Sequence, residues 1–410
     1  MHLKQTAFFL HAKKRKEQIM QDTKNGNSVP AEKDTRKYRT RQELKAPMTN
    51  PKGKDYIIGL DLGYSATKCM YETGRFCFPS YAKRIDDDTL TGADENDILY
   101  RSDDDGALYL VGRNAQDIIE ASDTNDTEGE LYSRKRYSDE RFKVICDVAI
   151  ALATAEKKDG RTTVIQTGLP TSFVRGDSEA LKQVLSRNAS FSMKIGTGPW
   201  KHYTGSVKKE NIYIMPQPAG ALYSVITKND GNFTQDAKKL LSDNVVVLDI
   251  GFGTFDFYGI KNRAIETADT INDIGMHEVM ANASKKIMEE YGEDIRVAAI
   301  QQNLESGMVE CFDDEEMKSE SRPLAPILTA ASKEVMQAAF QRARSVTKSF
   351  RGYHYVIVDG GTGEAWYKDI CSWLSGMKTL KIIPSNWNDH LPFIYSNARG
   401  YYMFRRQQKR

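Results

Sequence analysis

The sequence predicts a two-lobed α/β fold built by duplicating one strand-turn-strand unit, and three observations predict it. At 410 residues the chain exceeds the roughly 250 residues at which a single hydrophobic core stops growing. The segment Ile58-Gly59-Leu60-Asp61-Leu62-Gly63 returns 188 residues later as Val246-Val247-Leu248-Asp249-Ile250-Gly251, a period that fits a duplicated domain and not a solenoid. Short apolar runs alternate with amphipathic helical patterns, as strands covered by crossover helices require.

Charge divides the chain unevenly. Residues 1–54 carry 14 lysines and arginines against 5 acidic residues, net +9, which leaves −7 for the remainder of a chain whose total is +2. This head is polar, contains Pro30, Pro47 and Pro51, and shows little apolar periodicity after Leu10, so it reads as a disordered basic extension over 1–54. Its cations suit nucleic-acid phosphates, yet it has no interleaved aromatics beyond Tyr38; direct nucleic-acid binding stays open.

No window approaches the roughly 20 apolar residues of a membrane span. Thr6 to Leu10 is too short for a signal core and precedes Lys13, Lys14 and Arg15, the wrong order for export. The expectation is a cytoplasmic protein. Cys69, Cys77, Cys146, Cys311 and Cys371 are scattered with no C-x-x-C pair, so reduced thiols are expected and no zinc site.

From Asp55 the pattern becomes that of a folded body. Tyr56 to Leu60 is a buried strand, Thr67–Thr73 and Arg75–Ser80 continue a meander, and Ser138-Asp139-Glu140 opens a helix with Phe142, Ile145, Val148, Ala149 and Leu152 on one face. Strands follow at Thr163–Thr167 and Asn211–Met215, a helix at Ala219–Thr227, and a fully buried strand at Asn244–Leu248. Phe255–Ile260 and Arg263–Thr270 repeat the meander. Helices are expected at Gly275–Tyr291, Asp294–Leu304 and Leu324–Phe350, with an acidic exposed loop at Cys311–Arg322. A strand at Tyr353–Val358 and helices at Glu364–Leu374 and Asn397–Gln408 complete the chain. Lobe I is placed at 55–216, completed by 385–410, and lobe II at 217–384.

Three turns carry the chemistry. In Asp61-Leu62-Gly63-Tyr64-Ser65-Ala66-Thr67-Lys68 the glycine allows a tight turn whose N–H groups face an anion. Asp61 suits hydrated Mg²⁺, and Lys68 offers a point charge to phosphates. Asp249-Ile250-Gly251-Phe252-Gly253-Thr254-Phe255-Asp256 repeats the arrangement, so two turns can wrap a triphosphate from both sides. Gly360-Gly361-Thr362-Gly363 lies between a buried strand and a helix N-terminus, a setting for close approach to the nucleoside.

These motifs, in this order, resemble the phosphate-1, phosphate-2 and adenosine motifs of the actin, Hsp70 and sugar-kinase superfamily. Within it the chain looks most like the bacterial ParM/StbA plasmid-segregation group. Tyr109-Leu110-Val111-Gly112, Gln166-Thr167-Gly168-Leu169-Pro170, Asp273-Ile274-Gly275 and Ser396-Asn397-Ala398-Arg399-Gly400 carry that resemblance over roughly Tyr56 to Phe404. It implies an actin-like, ribonuclease H-like duplicated ATPase fold that binds ATP or ADP with Mg²⁺.

By the same resemblance Gln217, which opens Gln217-Pro218-Ala219-Gly220, orients the attacking water, where ParM generally has Glu. Asp249 polarises that water and shares Mg²⁺ with Asp61 through water molecules. Asp273 and Glu278 are expected near the ribose and base, and His277 is expected to be structural. The implied function is a head-to-tail filament whose dynamics follow ATP hydrolysis, driving plasmid or DNA segregation through a DNA-binding adaptor on a centromere-like site. A small-molecule kinase, an Hsp70-like chaperone ATPase and a non-polymerising ATP-binding scaffold are the alternatives from the same superfamily.

Overall fold

The computed structural model describes residues 34–86, 94–118 and 134–408. In lobe I, β1 (Glu43–Pro47), β2 (Tyr56–Leu62), β3 (Ala66–Tyr71) and β4 (Gly74–Pro79) open the main sheet, and β5 (Ala82–Ile85), β6 (Ile98–Ser102) and β7 (Leu108–Val111) leave it for a second one. Then come α1 (Arg113–Asp117), α2 (Glu140–Thr154), β8 (Thr163–Leu169), α3 (Val174–Ser186), β9 (Ala189–Ile195), β10 (Lys201–Gly205) and β11 (Ile212–Pro216). Asp139 starts α2 by accepting the Arg141 N–H at 2.8 Å, a helix cap of the expected kind.

Lobe II follows with α4 (Gln217–Ile226), α5 (Ala237–Ser242), β12 (Val245–Ile250), β13 (Thr254–Lys261), β14 (Ala264–Asn272), α6 (Met276–Tyr291) and α7 (Val297–Ser306). It continues through β15 (Met308–Asp313), β16 (Lys318–Pro323), α8 (Ala325–Val346), β17 (Tyr355–Asp359), α9 (Gly361–Leu374) and β18 (Lys381–Pro384). The last helix, α10 (Ser396–Gln407), returns to lobe I.

The strand orders make the duplication explicit. Lobe I runs β1-β4-β3-β2-β8-β11 and lobe II runs β14-β13-β12-β17-β18, so without β1 both read third, second, first, fourth, fifth. In each, the first three strands pair antiparallel and the last two join in parallel. Every residue of the central strands β2 and β12 is buried, because helices cover both faces of a parallel-type sheet centre. Each lobe has its own core, one around Ile58, Leu60, Phe76 and Val148 and the other around Val246, Leu248, Phe257 and Val356.

Two helices bind the lobes together. Helix α4 packs Leu222 and Ile226 on Val245, Val247 and Ile357 of lobe II, and α10 packs Ala398 and Tyr402 on Ile57 and Met70 of lobe I. They cross at Gly220 and Gly400, where a Cβ on Gly400 would stand 1.8 Å from the Gly220 carbonyl oxygen. Only glycine permits that crossing.

Two expectations need correction. Residues 34–54 are not a disordered extension: Thr35–Tyr38 forms a 3-10 turn, and β1 adds to the edge of the lobe I sheet with Glu43 opposite Cys77 and Pro47 opposite Gly74. An edge strand needs few apolar residues and tolerates proline, so the segment had no periodic signal. Residues 1–33 lie outside the described part. Residues 311–322 are not a loop but most of the β15–β16 ribbon, with Val309 and Cys311 buried and Glu310 and Phe312 exposed between and beside them. Charges on both strands hid that short alternation.

The five cysteines are free. Among the described residues no helix is long and apolar enough to cross a membrane.

Candidate functional site

The two glycine turns end β2 and β12, the central strands of the two sheets, and this places them face to face across the interlobe cleft. The cleft is open to solvent, and about 1000 Å³ of space lies between its walls with that open solvent included. Asp61, Gly63, Tyr64, Ser65 and Lys68 line it from lobe I; Gln217, Asp249, Gly251, Thr254, Gly360, Gly361 and Thr362 line it from the other side.

Lys68 Nζ lies 2.7 Å from Asp61 Oδ2, and Gln217 Nε2 donates to Asp61 Oδ1 at 3.2 Å. Gln217 therefore sits on Asp61. Asp249 instead accepts from Asn397 Nδ2 at 2.8 Å, so α10 reaches across to orient a lobe II carboxylate. Thr362 Oγ1 donates to the Gly251 carbonyl at 2.6 Å and ties the third turn to the second. Gly360 has φ +83°, and a Cβ there would stand 2.2 Å from the Ile250 carbonyl oxygen; a side chain is excluded on both counts.

Five expected site residues are not among those lining the cleft. Asp256 points between the lobes, where Oδ1 accepts from the Thr171 N–H at 2.8 Å and Thr270 Oγ1 at 2.5 Å while Oδ2 accepts from Thr254 Oγ1 at 2.9 Å. It fastens lobe I to the lobe II hairpin. Gly253 faces the Tyr64 ring. Asp273 is an exposed residue with φ +60°, and Glu278 lies in the first turn of α6, where a carboxylate complements the helix dipole. Gly363 packs toward Val358 and Ile250. The α6 start still reaches the cleft through Met276, and His277 is edge-on to Phe252 at 5.7 Å.

Two cleft carboxylates, Asp359 and Glu364, were not expected. Asp359 ends β17 in register with Asp249 on the adjacent strand, is fully buried, and neither oxygen has a hydrogen-bond partner of good geometry. Its sequence signal was legible, since Asp359-Gly360 is a third aspartate at the end of a buried strand just before a glycine. Burial raises both acids, Asp249 well above the usual carboxylate range with the Asp359 and Asp256 charges adding to it. Burial takes Asp359 up to about 7 even with the Ser385 and Ser396 hydroxyls and the Gly360 N–H lowering it. Asp359 beside Asp249 and Asp61 makes a set of hard oxygens of the kind that Mg²⁺ takes. Among the described residues no group of three or more such side chains is placed to hold a metal ion directly.

The raised acids have a consequence for stability. Between about pH 4 and 7 the unfolded chain ionises at residue 359 while the folded chain retains its proton. The folded state then binds more protons, so this residue's contribution to stability is lost as pH rises through that window. Asp359→Asn, which cannot ionise, is expected to gain on the wild type by roughly 1–3 kcal/mol at pH 7.5 and by less than half of that at pH 5. Thermal melts of both ligand-free proteins across that range check it; a pH-independent gap would contradict it.

Comparison with known proteins agrees with this fold. Residues 59–220 match the family described as the N-terminal domain of actin-like proteins. No curated protein sequence matches the chain. Among solved structures, a non-polymerisable quadruple mutant of pCBH ParM superposes with TM-score 0.65 at 20% identity, over 86% of this chain and 99% of that one. The ParM of a 15-stranded filament from Clostridium botulinum gives 0.63 at 20% identity over 86% and 99%. An archaeal actin homologue in complex with ADP gives 0.55 at 20% identity over 86% and 100%.

Proposed function

We propose, from the premise that this chain has the actin-like fold, that it binds and hydrolyses ATP in the interlobe cleft and forms head-to-tail filaments whose dynamics follow that hydrolysis. The observation that carries the reading is the convergence of the two glycine turns on one cleft that also holds Asp61, Lys68, Asp249 and Asp359. The ParM and archaeal relatives, named as a filament and an ADP complex, support it.

In this reading the N–H groups of the turns at Gly63 and Gly251 and the Lys68 ammonium hold phosphates, and the third turn at Gly360–Thr362 meets the nucleoside. Asp61, Asp249 and Asp359 would hold Mg²⁺ through water; bound there, the ion neutralises charge developing on the phosphates. Asp249, in its ionised form, accepts a proton from a water at the cleft floor, and burial raises the proton affinity of that form. Gln217 orients that water, as an amide can without acting as a base. Because closing the lobes brings residues of both turns together, occupancy of the cleft sets the shape that the next subunit meets, and such heterologous contacts extend as an open helix. Carriage of a plasmid or other DNA through a DNA-binding adaptor, in the cytoplasm, is part of the proposal.

Negative-stain electron microscopy with and without ATP, paired with a phosphate-release assay, tests it. Nucleotide-dependent polymer and released phosphate are expected at micromolar protein. Protein that binds ATP yet stays unassembled sinks the filament reading, and assembly without phosphate release sinks the ATPase.

A further inference from the structure

The segment 34–41 precedes both copies of the duplicated unit and the matched family domain, yet it forms a wall of the cleft through Lys37, Tyr38, Arg39, Thr40 and Arg41. It is fastened at both ends to different lobes. On lobe II, the buried Thr35 donates from Oγ1 to the Leu304 carbonyl at 2.9 Å, the Thr40 N–H donates to Gln301 Oε1 at 3.0 Å, and Tyr38 packs against the core. On lobe I, Gln42 donates to the Asn96 carbonyl at 2.9 Å and accepts the Arg113 N–H at 2.8 Å, and β1 enters the sheet directly after.

Midway, Arg39 joins the lobes with one guanidinium. Its Nη1 meets Glu305 of α7 at 2.5 Å and its Nη2 meets both oxygens of Asp117 of α1 at 3.1 and 3.2 Å. The side chain is only 12% exposed, and a planar guanidinium is suited to such a two-sided grip. Opening the lobes breaks one half of it.

Charge makes the second argument. Among the described lining residues, the lobes themselves bring Asp61, Asp249, Asp359 and Glu364 but a single cation, Lys68. With Asp249 and Asp359 protonated, Lys68 is the one cation that the described lobe residues set against Asp61 and Glu364, and Lys37 and Arg41 of the segment add charge that attracts a polyphosphate.

We propose that residues 34–41 are a strap built into the nucleotide site: they supply cationic charge toward a bound nucleoside polyphosphate, and the Arg39 latch to Asp117 and Glu305 controls its release. The proposal rests on the reading of the cleft as a nucleotide site. A fluorescent ATP analogue, pre-bound to the full-length protein and chased with unlabelled ATP, reads the release rate directly. Arg39→Ala, Asp117→Asn and Glu305→Gln are each expected to release it about tenfold faster than wild type, within the span of a coupling between two sites. The double variant Arg39→Ala/Glu305→Gln should release no faster than Arg39→Ala alone, because both remove one interaction. Asp117→Asn and Glu305→Gln keep side-chain shape, so circular dichroism and melting confirm a folded protein even if Arg39→Ala misfolds. Release from all three at the wild-type rate overturns the strap while leaving the nucleotide site intact. A wild type that binds no analogue overturns both together.

Discussion

Asp249→Asn is expected to lower the rate of phosphate release by roughly 10²- to 10⁴-fold, the range typical for losing a positioned proton acceptor, while leaving nucleotide affinity within a few-fold. The argument begins with isosterism. The side chain is buried, and Asn397 Nδ2 donates to it at 2.8 Å; asparagine can offer the same acceptor oxygen, so the orientation survives. Proton-accepting capacity does not. In the wild type the ionised carboxylate is a strengthened base, because burial together with Asp359 and Asp256 raises its affinity for a proton. The phosphate-holding elements, Lys68 with Asp61 and the turn backbones, are untouched. Phosphate release measured at saturating ATP checks the prediction, and electron microscopy of the variant should show filaments that persist. Release at the wild-type rate would refute the role given to Asp249.

Arg399→Ala is expected to destabilise the protein by about 3–5 kcal/mol, the range for removing one partner of a buried ion pair, which corresponds to a melting temperature lower by roughly 6–12 °C. Arg399 is 1% exposed and donates to the carbonyl oxygens of Ser224 at 2.7 Å and Thr227 at 2.8 Å, and to Asn229 Oδ1 at 3.0 Å. It therefore caps the C-terminus of α4, where carbonyls lack partners and a cation complements the dipole. Its Nε also lies 3.4 Å from Asp389, whose side chain is 2% exposed. Alanine leaves a buried carboxylate without its counter-charge and uncaps the helix that begins with Gln217. Lysine should rescue only in part, since one ammonium cannot reach the positions that the planar guanidinium occupies. Thermal melts of wild type, Arg399→Ala and Arg399→Lys check the order; a melting temperature for Arg399→Ala equal to wild type would remove Arg399 from the junction.

The parts of the site legible in sequence are those encoded within a few residues. A buried apolar strand ending in Asp-x-Gly is a local pattern, and its recurrence at Asp61 and Asp249 announced the duplication that the matching strand orders display. Asp256 misled for the same reason. It continues the second turn in sequence and stands opposite Asp249 on the adjacent strand, but its carboxylate is taken up by the Thr171 N–H and the Thr254 and Thr270 hydroxyls and does not line the cleft. Asp273 and Glu278 were assigned by resemblance, and a register of a few residues separates them from Met276, which does line the cleft.

What the sequence by itself determined is the repeated unit, the positions of its central strands and the two glycine turns that end them, because a strand's burial pattern and a glycine's turn are set by immediate neighbours. What only the tertiary structure decided is how those turns are completed. Asp359 joins Asp249 through inter-strand register, Asn397 orients Asp249 across 148 residues, and Arg39 clasps Glu305 across 266. Such contacts depend on where separate elements come to rest, and a polar side chain on an edge strand or a loop carries no periodicity that would forecast its partner.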